Sequence, residues 1–295
     1  MRLAEHPSQE IAARRVFAGH DLLGEGPLWH ERSGALLWTD IYGGHLNRWS
    51  PWDRTYEETS TSDAVTALAA CKGGGFLAST FRRIVRLDDA FQGNADLGLD
   101  LLPPGFRFND GKASPLGDFW VGSLAPDAAG SLYCIDPSGL ARQVESGLGL
   151  CNGLDWSPDG ATFYLADTAA RRIYRYCMGA DGRSLEDRTV FAEFRVEEGA
   201  PDGLCVDGDG CVWCAMWDGS VVLRLDPHGG RISRIPLPTP RPTSCAFGGR
   251  ALRTLYVTSA RHGLEGAAPE AADHSGSLFA VALGITGQPT RLCAI

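Results

Sequence analysis

Four polar residues stand at matching positions in this chain: Glu25, Asn109, Asn152 and Asp202. Each heads a related stretch, namely Glu25-Gly-Pro-Leu-Trp-His-Glu-Arg-Ser-Gly34, Asn109-Asp-Gly-Lys-Ala-Ser-Pro-Leu-Gly117, Asn152-Gly-Leu-Asp-Trp-Ser-Pro-Asp-Gly160 and Asp202-Gly-Leu-Cys-Val-Asp-Gly-Asp-Gly210. One Asn or Asp before Gly is an ordinary turn former. Four at corresponding positions of a repeat are different, because a ring of repeats brings equivalent positions to one axis. Carboxylates gathered there repel unless a cation offsets them. Glu25 and Asp202 would bring two negative charges and Asn152 a neutral oxygen. An all-oxygen set with few charges suits one hard divalent ion that keeps some waters or a substrate oxygen. Such a set accepts Ca, Zn, Mg, Mn or Fe(II).

The elements that must position these residues repeat with them. Weaker copies of the stretch occur at Thr66-Ala-Leu-Ala-Ala-Cys-Lys-Gly-Gly74 and Ser244-Cys-Ala-Phe-Gly-Gly249, which brings the number to about six at a period of roughly 42 to 50 residues. Every copy continues with a run rich in aromatic and β-branched residues, such as Ala35-Leu-Leu-Trp-Thr39, Thr162-Phe-Tyr-Leu165 and Thr254-Leu-Tyr-Val257. A third run often reads apolar-x-Arg-apolar, as in Ile84-Val-Arg-Leu87 and Val222-Leu-Arg-Leu225. Short runs of this kind between Gly, Pro, Asn and Asp predict strands and tight turns. No long stretch has helical periodicity, although a few helical turns fit between Gly263 and Ala272. The expected architecture is therefore all-β: a six-bladed β-propeller with four-stranded antiparallel blades, forming a single domain over residues 1–295. The run Ala12-Ala-Arg-Arg-Val-Phe17 precedes the first repeat and is expected to add the outer strand of the last blade, after Gly276-Ser-Leu-Phe-Ala-Val281. That closure removes an exposed sheet edge.

Composition excludes several classes. The net charge of −9 argues against nucleic acid, which selects basic surfaces. No apolar run is long enough to span a membrane. Met1 to Glu10 are polar and lack a signal-peptide core, so a cytoplasmic location is expected. The nine cysteines are irregularly spaced within apolar runs and read as reduced core thiols. Cys211-Val-Trp-Cys214 has no second pair to complete a zinc site. Gly73-Gly-Gly75 lacks the helix and Gly-Lys-Ser/Thr of a phosphate cradle. Asp207-Gly-Asp-Gly210 mimics the start of a calcium loop but lacks its later acids, and a hairpin turn is expected. There is no Gly-x-Ser-x-Gly elbow. Trp29, Trp217 and Phe106 are expected to pack between blades. No feature of the sequence sets an oligomeric state.

Six markers in order give the chain a family resemblance: Gly24-Glu-Gly-Pro-Leu-Trp29 with Trp38-Thr-Asp-Ile41, Arg107-Phe-Asn-Asp-Gly-Lys112, Asn152-Gly-Leu-Asp-Trp156, Pro201-Asp-Gly-Leu204, Thr243-Ser-Cys-Ala-Phe-Gly-Gly249 and Tyr256-Val-Thr-Ser-Ala-Arg261. Over nearly its whole length it resembles the senescence marker protein (regucalcin), gluconolactonase and luciferin-regenerating enzyme family. The resemblance implies a six-bladed propeller with one divalent metal ion in its channel. It implies Glu25, Asn152 and Asp202 as metal ligands, with Arg107 and Asn109 on the substrate. The family often carries a Glu after the segment matching Gly122-Ser-Leu-Ala-Pro-Asp127; here the acid is either shortened to Asp127 or absent. The implied reaction is hydrolysis of a sugar-acid lactone, in which the ion polarises the carbonyl and Asp202 accepts the proton of the attacking water. Two alternatives are a non-catalytic metal-binding propeller and a hydrolase resembling the arylesterases and phosphotriesterases. The latter usually use more calcium ligands and a histidine dyad, and no close histidine pair is visible here.

Overall fold

The computed structural model describes residues 12–93, 95–125, 130–264 and 273–295. Among them, six four-stranded antiparallel sheets form the expected propeller. Strand β1 (Arg14–Phe17) comes first in the chain but closes the last sheet. The first blade is β2 (Gly24–His30), β3 (Ala35–Asp40), β4 (His45–Trp49) and β5 (Tyr56–Ser60). The second is β6 (Val65–Ala70), β7 (Phe76–Thr80), β8 (Ile84–Leu87) and β9 (Ala95–Asp96). The third is β10 (Arg107–Ala113), β11 (Phe119–Leu124), β12 (Gly130–Ile135) and β13 (Ala141–Leu148), and the fourth β14 (Cys151–Trp156), β15 (Thr162–Asp167), β16 (Arg172–Met178) and β17 (Leu185–Glu193). The fifth is β18 (Ala200–Val206), β19 (Val212–Trp217), β20 (Val221–Leu225) and β21 (Arg231–Pro236). The sixth is β22 (Pro242–Gly248), β23 (Thr254–Ser259), β24 (Leu278–Ala282) and β1. β1 pairs antiparallel with β24, matching Arg15 to Phe279, so the ring closes as the sequence predicts.

Strand side chains alternate between two faces. In this ring both faces of a blade meet a neighbour, so the apolar core is divided into wedges between successive blades. Phe108, Phe119 and Val121 of the third blade pack on Ala67, Leu77 and Ile84 of the second. Trp120 of the third packs with Trp156, Phe163 and Tyr176 of the fourth. Trp29, Trp38 and Trp49 of the first meet Tyr256 and Leu278 of the sixth. This arrangement buries the aromatic runs and leaves the axis to polar side chains. Trp29 stacks on Tyr256 with ring centroids 6.0 Å apart, which is the packing role expected of it.

Two single 3-10 turns, Val196–Glu198 and Arg250–Leu252, interrupt the strands. The expected helical turns between Gly263 and Ala272 fall mostly outside the described residues. No helix among the described residues is long and apolar enough to cross a membrane. All nine cysteines are free thiols; eight are buried and Cys177 is exposed. Asp207 starts a turn, as expected, and its carboxylate holds Arg224 rather than serving an ion loop.

After β24 the chain passes across the foot of the channel. Gln288 Nε2 donates to the carbonyls of Trp156 at 2.9 Å and Val206 at 3.2 Å. Thr290 Oγ1 donates to the Trp29 carbonyl at 2.7 Å, and the Cys293 N–H to the Ala70 carbonyl at 2.8 Å. The segment thus ties down inner strands of four different blades.

Candidate functional site

The six inner strands share one irregularity. Each loses register with its neighbour at the same place: between Glu25 and Leu28, Val65 and Ala67, Phe108 and Gly111, Cys151 and Leu154, Pro201 and Leu204, and Pro242 and Cys245. A bulge re-aims the residue it carries, and bulges gather beside functional sites. Here the bulges fall at or beside Glu25, Thr66, Asn109, Asn152, Asp202 and Thr243, one in each blade. The Asn-Gly and Asp-Gly pairs that read locally as turns are therefore bulges within strands. Their glycines answer close packing around the axis. A Cβ on Gly203 would lie 2.0 Å from Ser244 Oγ, and one on Gly153 would lie 2.3 Å from the Leu204 nitrogen.

Two of the six positions satisfy themselves. Thr66 Oγ1 bonds Ser79 Oγ at 2.8 Å, and Thr243 Oγ1 donates to the Gly24 carbonyl. The other four carry the functional expectation, and all are buried. Asn152 Nδ2 donates to Asp202 Oδ1 and, at 3.1 Å, to Thr168 Oγ1. Its Oδ1 is buried without a hydrogen-bond partner. Glu25 Oε2 accepts only the N–H of Gly26, at 3.2 Å. Burial raises the pKa of the Glu25 carboxyl, and Asp110 raises it further. Burial likewise raises that of Asp202 well above the usual carboxylate range, helped by Glu25 and Asp110. The structure thus brings Asn152 and Asp202 into contact and sets Glu25 close enough to repel Asp202.

Arg107 and Asn109 also meet. Arg107 Nη1 donates to Asn109 Oδ1 at 3.0 Å, and Asn109 Nδ2 donates to the Cys151 carbonyl at 3.1 Å. The other amide proton of Asn109 has no partner among the described residues. The Arg107 guanidinium lies 5.1 Å from the centre of the Phe81 ring and forms no ion pair with a described carboxylate, although its charge is felt at Glu25. Asp127 lies outside the described residues.

Sequence reasoning missed Asp110, a third buried channel carboxylate, whose pKa burial also raises. It also missed the polar floor. Asp155 accepts from Lys112 Nζ at 3.2 Å and from Arg291 Nη1 at 3.0 Å. A chamber of about 80 Å³ lies between them, lined by Asp110, Lys112, Asp155, Ser244 and Arg291 but not by Glu25, Asn152 or Asp202. The channel therefore has an acidic mouth and a charge-paired foot.

A metal ion fits the mouth on the chemistry of its donors. Two buried carboxylates that form no ion pair among the described residues, and a buried amide oxygen without a donor there, are costly. A divalent ion would relieve all three. No three His, Cys, Asp or Glu side chains among the described residues group tightly enough to hold a metal by themselves.

Comparison with known proteins gives a consistent picture. Residues 23–261 match the family model of the SMP-30/Gluconolactonase/LRE-like region. A 6-deoxy-6-sulfogluconolactonase of Pseudomonas putida is 38% identical over 277 residues, covering 90% of this chain and 93% of that protein. A pentonolactonase of Haloferax volcanii is 34% identical with the same coverage. A solved structure of a calcium-binding protein, regucalcin, from Agrobacterium tumefaciens superimposes with a TM-score of 0.89 at 29% identity, over 96% of this chain and 97% of that one.

Proposed function

The chain belongs to the SMP-30/gluconolactonase/LRE-like family, and on that premise we propose that it is a metal-dependent lactonase that hydrolyses a sugar-acid lactone. The observation that carries this reading is the pairing, at one channel mouth, of an uncompensated acidic set with the Arg107–Asn109 pair. An ion-binding protein without catalysis has no use for the second element. The lactonase relatives support the substrate class, and the calcium-binding relative supports a divalent ion held by Glu25, Asn152 and Asp202.

When bound, the ion would polarise the lactone carbonyl and offset the charge that water attack puts on its oxygen. The chain's own groups supply the rest. Asp202 uses Oδ1 on Asn152, which leaves Oδ2 to take the proton of the attacking water. Burial raises its carboxyl in the ion-free chain, and the ion that it would help to hold would keep it ionised and able to take that proton. Water adds to the carbonyl carbon, the ring C–O bond breaks, and the same proton passes to the departing ring oxygen. The product is an open-chain hydroxy acid. Arg107 and the amide of Asn109 would bind sugar oxygens, and Asp127 is proposed to hold a hydroxyl.

The test is a pH-stat assay of chelator-stripped protein on a panel of sugar lactones, phenyl acetate and a phosphotriester, repeated with Ca, Zn, Mg, Mn and Fe(II). We expect proton release from one or more sugar lactones only after metal is restored. Full activity in the stripped protein, or a preference for phenyl acetate or the phosphotriester, would overturn the reading.

A further inference from the structure

The two ends of a carboxamide have nearly the same shape, so neighbouring hydrogen bonds decide which end faces a given direction. For Asn152 that decision matters, because only its oxygen can face a cation. Thr168, on the loop directly after β15, makes the decision. Its Oγ1 lies 2.7 Å from the Pro201 carbonyl, which can only accept. A hydroxyl has a single proton, and this contact uses it. Thr168 therefore meets Asn152, 3.1 Å away, as an acceptor, and only the NH2 end of the amide satisfies it. The other amide proton goes to Asp202 Oδ1. With both protons committed, Asn152 Oδ1 is left buried and unpartnered.

We infer that Thr168 is a positioning residue: by spending its proton on Pro201 it fixes the amide of Asn152 with the oxygen toward the ion. The same hydroxyl bonds both Asn152 on β14 and the residue before Asp202 on β18, so it also ties together the two inner strands that carry these residues. This rests on the reading of Asn152 as a ligand. Ala166-Asp-Thr-Ala169 has the composition of a common turn, so no local pattern singles Thr168 out.

The test is calorimetric titration of the metal-stripped protein with CaCl2 and, separately, MnCl2, with thermal melting of each variant. Thr168→Val keeps the shape and removes the hydroxyl. We expect it to stay folded and to bind the ion about tenfold more weakly, the loss of one buried hydrogen-bond partner. Thr168→Ser should restore affinity to within about twofold. In an Asn152→Asp background there is no amide end to choose, so adding Thr168→Val should change affinity by less than about twofold. A folded Thr168→Val that binds as tightly as the wild type would overturn the inference, as would an equal loss in the Asn152→Asp background. If Thr168→Val fails to fold, Thr168→Ser and Thr168→Ala decide: a serine variant as weak as the alanine one refutes the role. Wild-type protein that binds neither ion would instead refute the ion site itself.

Discussion

Asp202 lies within β18 and Asp207 directly follows it; each stands before a glycine, and both are buried. Their surroundings are opposite. Asp207 accepts from Arg224 Nε at 3.0 Å and Nη2 at 2.7 Å, from Trp213 Nε1 at 2.9 Å, and from the N–H groups of Asp209 and Cys211. Asp202 has one side-chain donor, Asn152, and its charged neighbours are Glu25 and Asp110. The protein supplies the counter-charge of Asp207 from within; that of Asp202 would come from the proposed ion. A buried carboxylate with its own arginine builds structure; one without it marks a place where something binds.

Substitutions at these two residues should separate the roles. The largest effect belongs to Asp202→Asn, which should cut metal-restored lactone opening by more than about a thousandfold. The metal-free variant should melt no lower than the wild type, because it loses an uncompensated charge. Retention of even a tenth of the activity would erase the contrast. Next comes Asp207→Asn, which leaves the Arg224 guanidinium, 14% exposed, with only the outlying Asp209 carboxylate at 3.2 Å as an acidic partner among the described residues. Breaking such a pair should cost about 3 kcal/mol in urea unfolding, while kcat/KM per folded molecule stays within about twofold. A catalytic defect without a stability loss would reverse the assignment.

The smallest effect comes from Asp21, which lies between the extremes. It has neutral donors, Trp38 Nε1 at 2.7 Å and Asn47 Nδ2 at 3.5 Å, but no cation. Burial, with Asp40 nearby, pushes its carboxyl up to about 8. A carboxyl with a raised folded-state pKa favours the fold most when protonated in both states. Its contribution is therefore fully present below the unfolded value of about 4 and is lost as pH rises toward about 8. Asp21→Asn should raise Tm at pH 8 by roughly 5 °C and change it little at pH 4. An equal shift at both pH values would show that Asp21 is compensated by groups not named above.

The fold was legible because the ring repeats its grammar six times, and the closing strand because Ala12–Phe17 had no partner in its own repeat. The mouth residues were legible for the same reason: Glu25, Asn109, Asn152 and Asp202 share a position. What lay outside the repeat was not. Asp110 matches Gly26, Gly153 and Gly203 in other blades, so no periodic signal raises it. Arg291 lies beyond the last strand and reaches Asp155 only through the path of the tail. The bulges were hidden because they depend on two residues facing one across a pair of strands, which a single strand does not spell. Local reading took Asn-Gly and Asp-Gly for turns; pairing made them bends within strands.

The tail has one more consequence. By binding Trp29, Ala70, Trp156 and Val206 it acts as a clasp that joins four blades at one end of the axis. Under the proposed reaction a neutral ring would enter beside the Arg107 guanidinium and an anionic open chain would leave past it.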